Sequence, residues 1–366
     1  EYDGNFTLKI CAPEIDQCME KEFTISNDSA ATGPFTITDD STGGDCSSIG
    51  TWNSATKTCT LSNDLNGPII IGSNDVTLDG NGKSITGTYT SLNPSASTFT
   101  EGVKIDGATG VTVKNLVINN VNSGIYLSSS EKGMIEGNTL SNNGYGVNLY
   151  DSPNTRIIGN TITSDDGYGI KNDRSHLTII TGNTQSGAST GISVTNSNQL
   201  TIDGNTFTDH QQGIYLNNVG QITVTHNFFY SGAFDRQSLT QSAIQIDGGG
   251  WHTIAFNNIS GWAEYGIKVS ATAVSIHNNV INAAKNAIFL QNSMGDGQCS
   301  GFEKFWLSQN TINMQSYPEM SNGIIAYNSE KICYDDNQII AGVDTYGDQR
   351  SLTLNGDKNS IVKNNY

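Results

Sequence analysis

Charge is scarce in this 366-residue chain, and positive charge is scarcest: charged residues are 14% of the total, with 18 Lys and Arg against 35 Asp and Glu, a formal net charge of −17. Nucleic acids and anionic membrane surfaces are therefore poor partners, because binding them takes clustered cations. Long apolar runs are missing too. Nothing approaches the roughly 18 consecutive apolar residues of a membrane span, so no span is expected. Apolar residues reach only 35%, which argues against a helix bundle. There is no Cys-x-x-Cys pair, and the five His are dispersed, so neither a zinc motif nor a copper-type cluster is visible.

What is abundant is Gly, at 40 residues, together with Asn, Ser and Thr, the mix that suits many short strands and turns. Six cysteines fall as Cys11 and Cys18, Cys46 and Cys59, and Cys299 and Cys333. An even count in close pairs favours disulfides and an oxidising compartment, with neighbour pairing the simplest connectivity. Sequons at Asn5, Asn27 and Asn258 and a start at Glu1 without Met fit a secreted or cell-surface chain that has lost an export signal.

A repeat organises the chain after residue 68. Aligned on "GNT", Asn138, Asn160, Asn183 and Asn205 recur at separations of 22, 23 and 22. The series continues at Asn227, Asn257, Asn279, Asn310, Asn337 and Asn365; upstream, Asn81 fits the position and Leu116 substitutes for it. A second register runs through "GVKID", "GIYLS", "GVNLY", "GIKND", "GISVT" and "GIYLN", alternating inward and outward residues. A propeller blade needs about 40 residues or more. The shorter unit holds two or three strands, one coil of a parallel β-helix, with Ile stacked on Ile and Asn bonding Asn at a corner. Asn also suits left-handed turn geometry.

The "GIYL…GNTI" pattern resembles the right-handed parallel β-helix superfamily, in particular the NosD-like group of carbohydrate-binding and sugar-hydrolase-type repeats, over about residues 68–366. The resemblance implies an all-β, right-handed parallel β-helix solenoid of about 11–12 coils. Residues 1–67 lie outside the repeat and read as a small β cap with disulfides, including a closed hairpin around Cys46 and Cys59.

Insertions at 85–101, 230–242, 314–322 and 341–351 interrupt the rhythm between an Asn strand and the next Gly-apolar strand, and another at 292–305 follows a Gly-apolar strand. Between these walls lies a flat face of outward residues. Tyr126, Tyr150, Lys171, Tyr215 and Lys268 there are the candidate carbohydrate contacts, able to stack on and hydrogen-bond sugar rings; the plain alternative is that exposed strand positions carry polar, β-prone residues. Acid–base chemistry on a uronate has two candidate clusters: Tyr168, Lys171, Asp173, Arg174 and His176, and Tyr215, Arg236, Asp247, His252 and Lys268. "YGIKNDRSH" keeps Tyr168 and Gly169 of the alginate C5-epimerase strand, but Lys171 stands for its first Asp and Asp173 for its His, so that mechanism is not carried over. No metal ligands are assigned, although Asp-Asp pairs at 39–40, 165–166 and 335–336 leave calcium open.

The last coil shows no cap, so head-to-tail assembly of copies is one expectation. The readings that follow are a structural, self-assembling and polysaccharide-binding β-helix outside the cell, a secreted lyase or epimerase working along the groove, or a monomeric adhesin. One position stands out: Asn172 takes an inward place held by Leu149 below and Val194 above, and must find a partner.

Overall fold

The computed structural model describes residues 4–12, 17–25, 30–89, 100–163, 167–231, 242–261, 264–282, 285–295, 306–314, 322–340 and 350–366, with side chains from residue 30 onward. It is the expected right-handed parallel β-helix. Each coil lays down three strands. A six-residue strand such as Tyr145–Tyr150 or Tyr168–Asp173 forms face A, a three-residue strand such as Arg156–Ile158 forms face B, and another such as Thr161–Thr163 forms face C. Among the described residues face C stacks 11 strands, whereas A and B merge into one 25-stranded sheet because Ser242–Ala255 and Tyr265–His277 turn their shared corner unbroken.

Register is residue on residue. Ile125, Val147, Ile170, Ile192, Ile214 and Ile244 form one inward column and are fully buried. Branched apolar residues at every second position fill a narrow core that has no other layer to hide in. Where the second residue of an A strand is glycine, the next coil packs closely on it: a Cβ on Gly169 would sit 2.7 Å from the Gly191 carbonyl and 2.2 Å from Gln185 Oε1; Ala243 and Ala287 take the position in two other coils.

The B–C corner turns in two residues. The first adopts positive φ (Gly137, Gly159, Gly182, Gly204, then His226, Phe256, Asn278, Gln309, Asp336 and Asn364). The second is the ladder Asn, which is not left-handed itself; the expectation that ladder Asn supplies the left-handed turn is corrected by one position. Each ladder Asn accepts through Oδ1 from the backbone N–H and Nδ2 of its predecessor, and donates to an earlier strand carbonyl. Asn183, for instance, accepts from Asn160 at 2.9 and 3.0 Å and donates to the Ile157 carbonyl at 2.9 Å. Leu116 interrupts the side-chain ladder as expected, its N–H reaching Asn138 Oδ1 at 3.1 Å. Asn81 does not belong to it: exposed and left-handed, it points to the Leu61 carbonyl.

The A–B corner uses serine. Ser152, Ser175 and Ser197 hydroxyls accept the N–H of Ser130, Ser152 and Ser175 at 2.9–3.1 Å. This corner also satisfies Asn172, which donates to the Ser175 carbonyl and Thr178 Oγ1 at 3.1 and 3.0 Å and accepts from Ser197 Oγ at 2.8 Å.

The parallel ladder starts earlier than residue 68. Phe35–Ile37 pairs in parallel with Ile69–Ile71, and Thr58–Leu61 pairs in parallel with Thr77–Asp79. The hairpin Gly50–Asn53 with Thr58–Leu61 is antiparallel and carries the Cys46–Cys59 disulfide. Gly4–Ala12 pairs antiparallel with Gln17–Ile25, setting Cys11 opposite Cys18. Cys333 is disulfide-bonded; Cys299 lies outside the described residues, as do Asn27, Arg236, Asp165, Asp166 and most of each expected insertion.

Candidate functional site

Face A is built by three outward positions per six-residue strand. The first position precedes the glycine and gives Tyr145, Tyr168, Gln212 and Tyr265; the second gives Lys104, Tyr126, Asn148, Lys171, Tyr215, Gln245, Lys268 and Phe289; the third gives Asp106, Tyr150, Asp173, Asp247 and Tyr327. All five candidate carbohydrate contacts therefore stand on one face.

The rings and cations are organised in pairs. Tyr145 and Tyr168, on adjacent coils, stack with centroids 5.8 Å apart and planes 8° from parallel, and Lys171 Nζ lies 5.4 Å from the Tyr145 centroid. Arg174 stands 4.3 Å from the Tyr150 ring, and Lys268 Nζ 5.3 Å from Tyr265. Farther along, Tyr265, Phe289 and Tyr327 form a chain with centroid steps of 5.1 and 5.8 Å. Such contacts hold long cationic chains in place at partly exposed sites.

The first acid–base cluster is divided by the corner. Tyr168, Lys171 and Asp173 share face A; Arg174 is at the corner in left-handed conformation; His176 lies beyond it, where Nδ1 accepts the Asn198 N–H at 3.0 Å. In the second cluster, Tyr215, Asp247 and Lys268 are on face A. Burial, then the neighbouring Asp247 carboxylate, push the Tyr215 hydroxyl up. His252 points the other way, into the core beside Ile222, whose N–H its Nδ1 accepts at 3.3 Å; burial lowers its pKa to about 4, and Nε2 has no partner among the described residues.

None of the five histidines is on face A. His210 is buried and lowered by that burial, its Nδ1 at 3.0 Å from the Ala188 carbonyl. His226 and His277 lie at the B–C corner on either side of Phe256, with ring centroids 5.3 and 5.7 Å from it. His226 Nδ1 is 2.9 Å from Asp203 Oδ1. Burial opposes ionisation of Asp203, but hydrogen bonds from Thr225 and His226 outweigh it and the carboxyl is lowered. Among the described residues no three His, Cys, Asp or Glu side chains converge as a metal site. In the two described Asp pairs three of the carboxylates are engaged otherwise: Asp39 with Lys57 at 2.7 Å, Asp335 with Lys363 at 3.0 Å, and Asp40 held well below the usual carboxylate range by the Thr42 and Thr38 hydroxyls and backbone N–H groups.

The sequence marks Tyr168 as a candidate for the acid–base cluster but not Tyr145 and Tyr265, which look like turn residues before a glycine. Their recurrence three residues ahead of the lysine column was the available signal.

No curated protein sequence matches this chain. Among solved structures, DFA-IIIase from Arthrobacter chlorophenolicus A6 without its lid is 13% identical with a TM-score of 0.53, covering 79% of this chain and 73% of that one. The same lidless enzyme in complex with GF2 gives 13%, 0.52, 83% and 72%. At that identity the likeness is one of fold. Residues 169–303 match the family model for a right handed beta helix region. The model for the periplasmic copper-binding protein (NosD) family matches residues 46–235, just over half of the chain, and the chain belongs to that family.

Proposed function

We propose that this chain is an exported β-helix that binds an acidic polysaccharide along face A. The observation that carries the reading is the set of three cations, Lys171, Arg174 and Lys268, each held over a tyrosine ring on or beside one face. With only 18 Lys and Arg in the chain, that concentration contrasts with the acidic whole. Rings offer apolar surface to the sugar, and the adjacent ammonium or guanidinium groups pair with carboxylates. The Cys46–Cys59 disulfide fits an oxidising compartment, and the family's name places its members in the periplasm. Copper, which that name also invokes, finds no fitting donor set among the described residues, so no step is assigned to it.

Lyase or epimerase action is the weaker reading, since the histidine of the first cluster lies beyond the corner, bonded to the Asn198 N–H, and off the face that holds its tyrosine, lysine and aspartate.

Affinity electrophoresis of the full chain through gels containing alginate, polygalacturonate or a neutral glucan tests the main reading. Retardation by an acidic polymer, lost in Lys171→Ala with Lys268→Ala, is the expected result. Equal mobility in every gel overturns it, and a rise in unsaturated-product absorbance moves the assignment to a lyase.

A further inference from the structure

A recess lies off face A, at the A–B corner between residues 196 and 251. Its cavity volume is about 370 Å³, and its lining comprises Asn196, Asn198, Asn218, Val219, three glycines and Trp251. The columns explain why it is hollow. One corner column carries His176, Asn198, Gly220, Gly250, Thr272 and Met294 in successive coils, so two bare positions sit side by side where neighbours have side chains. Gly249 and Gly250 are held bare by packing: a Cβ on Gly250 would lie 2.6 Å from the Thr272 carbonyl, and one on Gly249, at φ +78, would lie 1.6 Å from the Val219 carbonyl.

The two walls are chemically unlike. One is a file of carboxamides, Asn218 Nδ2 donating to Asn196 Oδ1 at 2.9 Å and Asn196 Nδ2 to Asp173 Oδ1 at 3.2 Å. The other is Trp251, which is 56% exposed although indoles bury readily. The coil demands a left-handed residue at this position, where Trp251 has φ 64; a bulky aromatic is an uncommon occupant there. The carboxamide of Asn198 has no hydrogen-bond partner among the described residues.

We propose that this recess is a subsite for a neutral sugar ring, its apolar face on the Trp251 indole and its hydroxyls bonded to the carboxamides of Asn198 and Asn218. An indole face beside amide donors and acceptors matches a pyranose, which presents one apolar face and an equatorial rim of hydroxyls. No cation lines the recess, and the Asp173 carboxylate ends the amide file, so a uronate is disfavoured here while face A favours it. The subsite extends the polysaccharide-binding reading to an uncharged residue or branch of the glycan, and it rests on that reading for the class of ligand.

The test is calorimetric titration of the full chain with neutral oligosaccharides (cello-, laminari-, malto- and xylo-hexaoses) and with oligouronates, for wild type, Trp251→Ala, Gly220→Asn and Lys171→Ala. Gly220→Asn fills the recess with the side chain the preceding coil already carries in that column, and Gly220 is not at positive φ, so the fold is retained. The expected result is at least about tenfold weaker binding of a neutral hexaose in Trp251→Ala and in Gly220→Asn, with oligouronate binding unchanged; Lys171→Ala shows the reverse. Neutral binding that survives both recess variants, or no neutral binding by the wild type, overturns the subsite while leaving face A standing. If no oligosaccharide of either class binds, both readings fall.

Discussion

The two corners that flank face B make an instructive pair. At the B–C corner every coil from Asn138 to Asn365 repeats one device, an asparagine whose carboxamide is fully engaged by its neighbours above and below. At the A–B corner the serine file runs from Ser130 to Ser197, gives way to Val219, Gly249 and Ala271, and resumes at Ser293, whose N–H meets Ser329 Oγ at 3.3 Å. The recess opens at that interruption. A uniform corner holds the coil spacing, which frees the other corner to vary; in a solenoid each coil contacts only its neighbours, so a local departure costs little elsewhere.

The largest test of this contrast is Asn205→Ala. It orphans the buried Asn183 N–H and the Ile180 carbonyl and removes the bond to Asn227 Oδ1, and a loss of about 4 kcal/mol is expected from chemical denaturation. A loss similar to that of a corner serine would erase the distinction between the corners.

Next comes acid. His252 sits beneath the recess with its pKa lowered from 6.5 to about 4 by burial. As pH falls through 6.5 the unfolded chain takes up this proton and the folded chain does not, so stability falls between pH 6.5 and 4, by about 3 kcal/mol if nothing relaxes. Buried His210 adds in the same direction. Urea midpoints from pH 7.5 to 4 measure the slope, and His252→Leu should flatten much of it; an unchanged slope would place the acid sensitivity elsewhere.

Ser175→Ala removes the acceptor of the Ser152 N–H at 2.9 Å and is expected to cost about 1.5 kcal/mol, clearly less than the ladder asparagine. The smallest effect concerns Gln185, fully buried between Ile162 and Phe207 with both side-chain polar atoms lacking partners among the described residues. Gln185→Leu should stabilise by about 1 kcal/mol, whereas Asn172→Leu in the same coil should not, because Asn172 is fully bonded. A thermal melt of each variant decides it.

Much of this is legible in the sequence. The repeat places the strands after residue 68, and alternation sends Tyr126, Lys171, Tyr215 and Lys268 outward together. Asn172 was visible as an exception, because its column is otherwise apolar. His252 was not: spaced after "DGGGW", it looks like a loop residue, and only the stacking of Ile222 and Val274 on either side shows that its position faces the core. The hairpin around Cys46 and Cys59 was readable, but not that its second strand joins the parallel ladder, since pairing across unlike segments leaves no periodic trace.

By itself, then, the sequence determined the parallel coil, the asparagine corner and two of the outward rows. Each of these depends on what one coil repeats, and repetition survives in a linear string. The tertiary structure alone decided which neighbours meet across coils: Tyr145 on Tyr168, Arg174 on Tyr150, and Trp251 facing a file of asparagines over bare glycine. Those meetings depend on side-chain directions at a corner and on the gap between consecutive coils, and neither is encoded in the period.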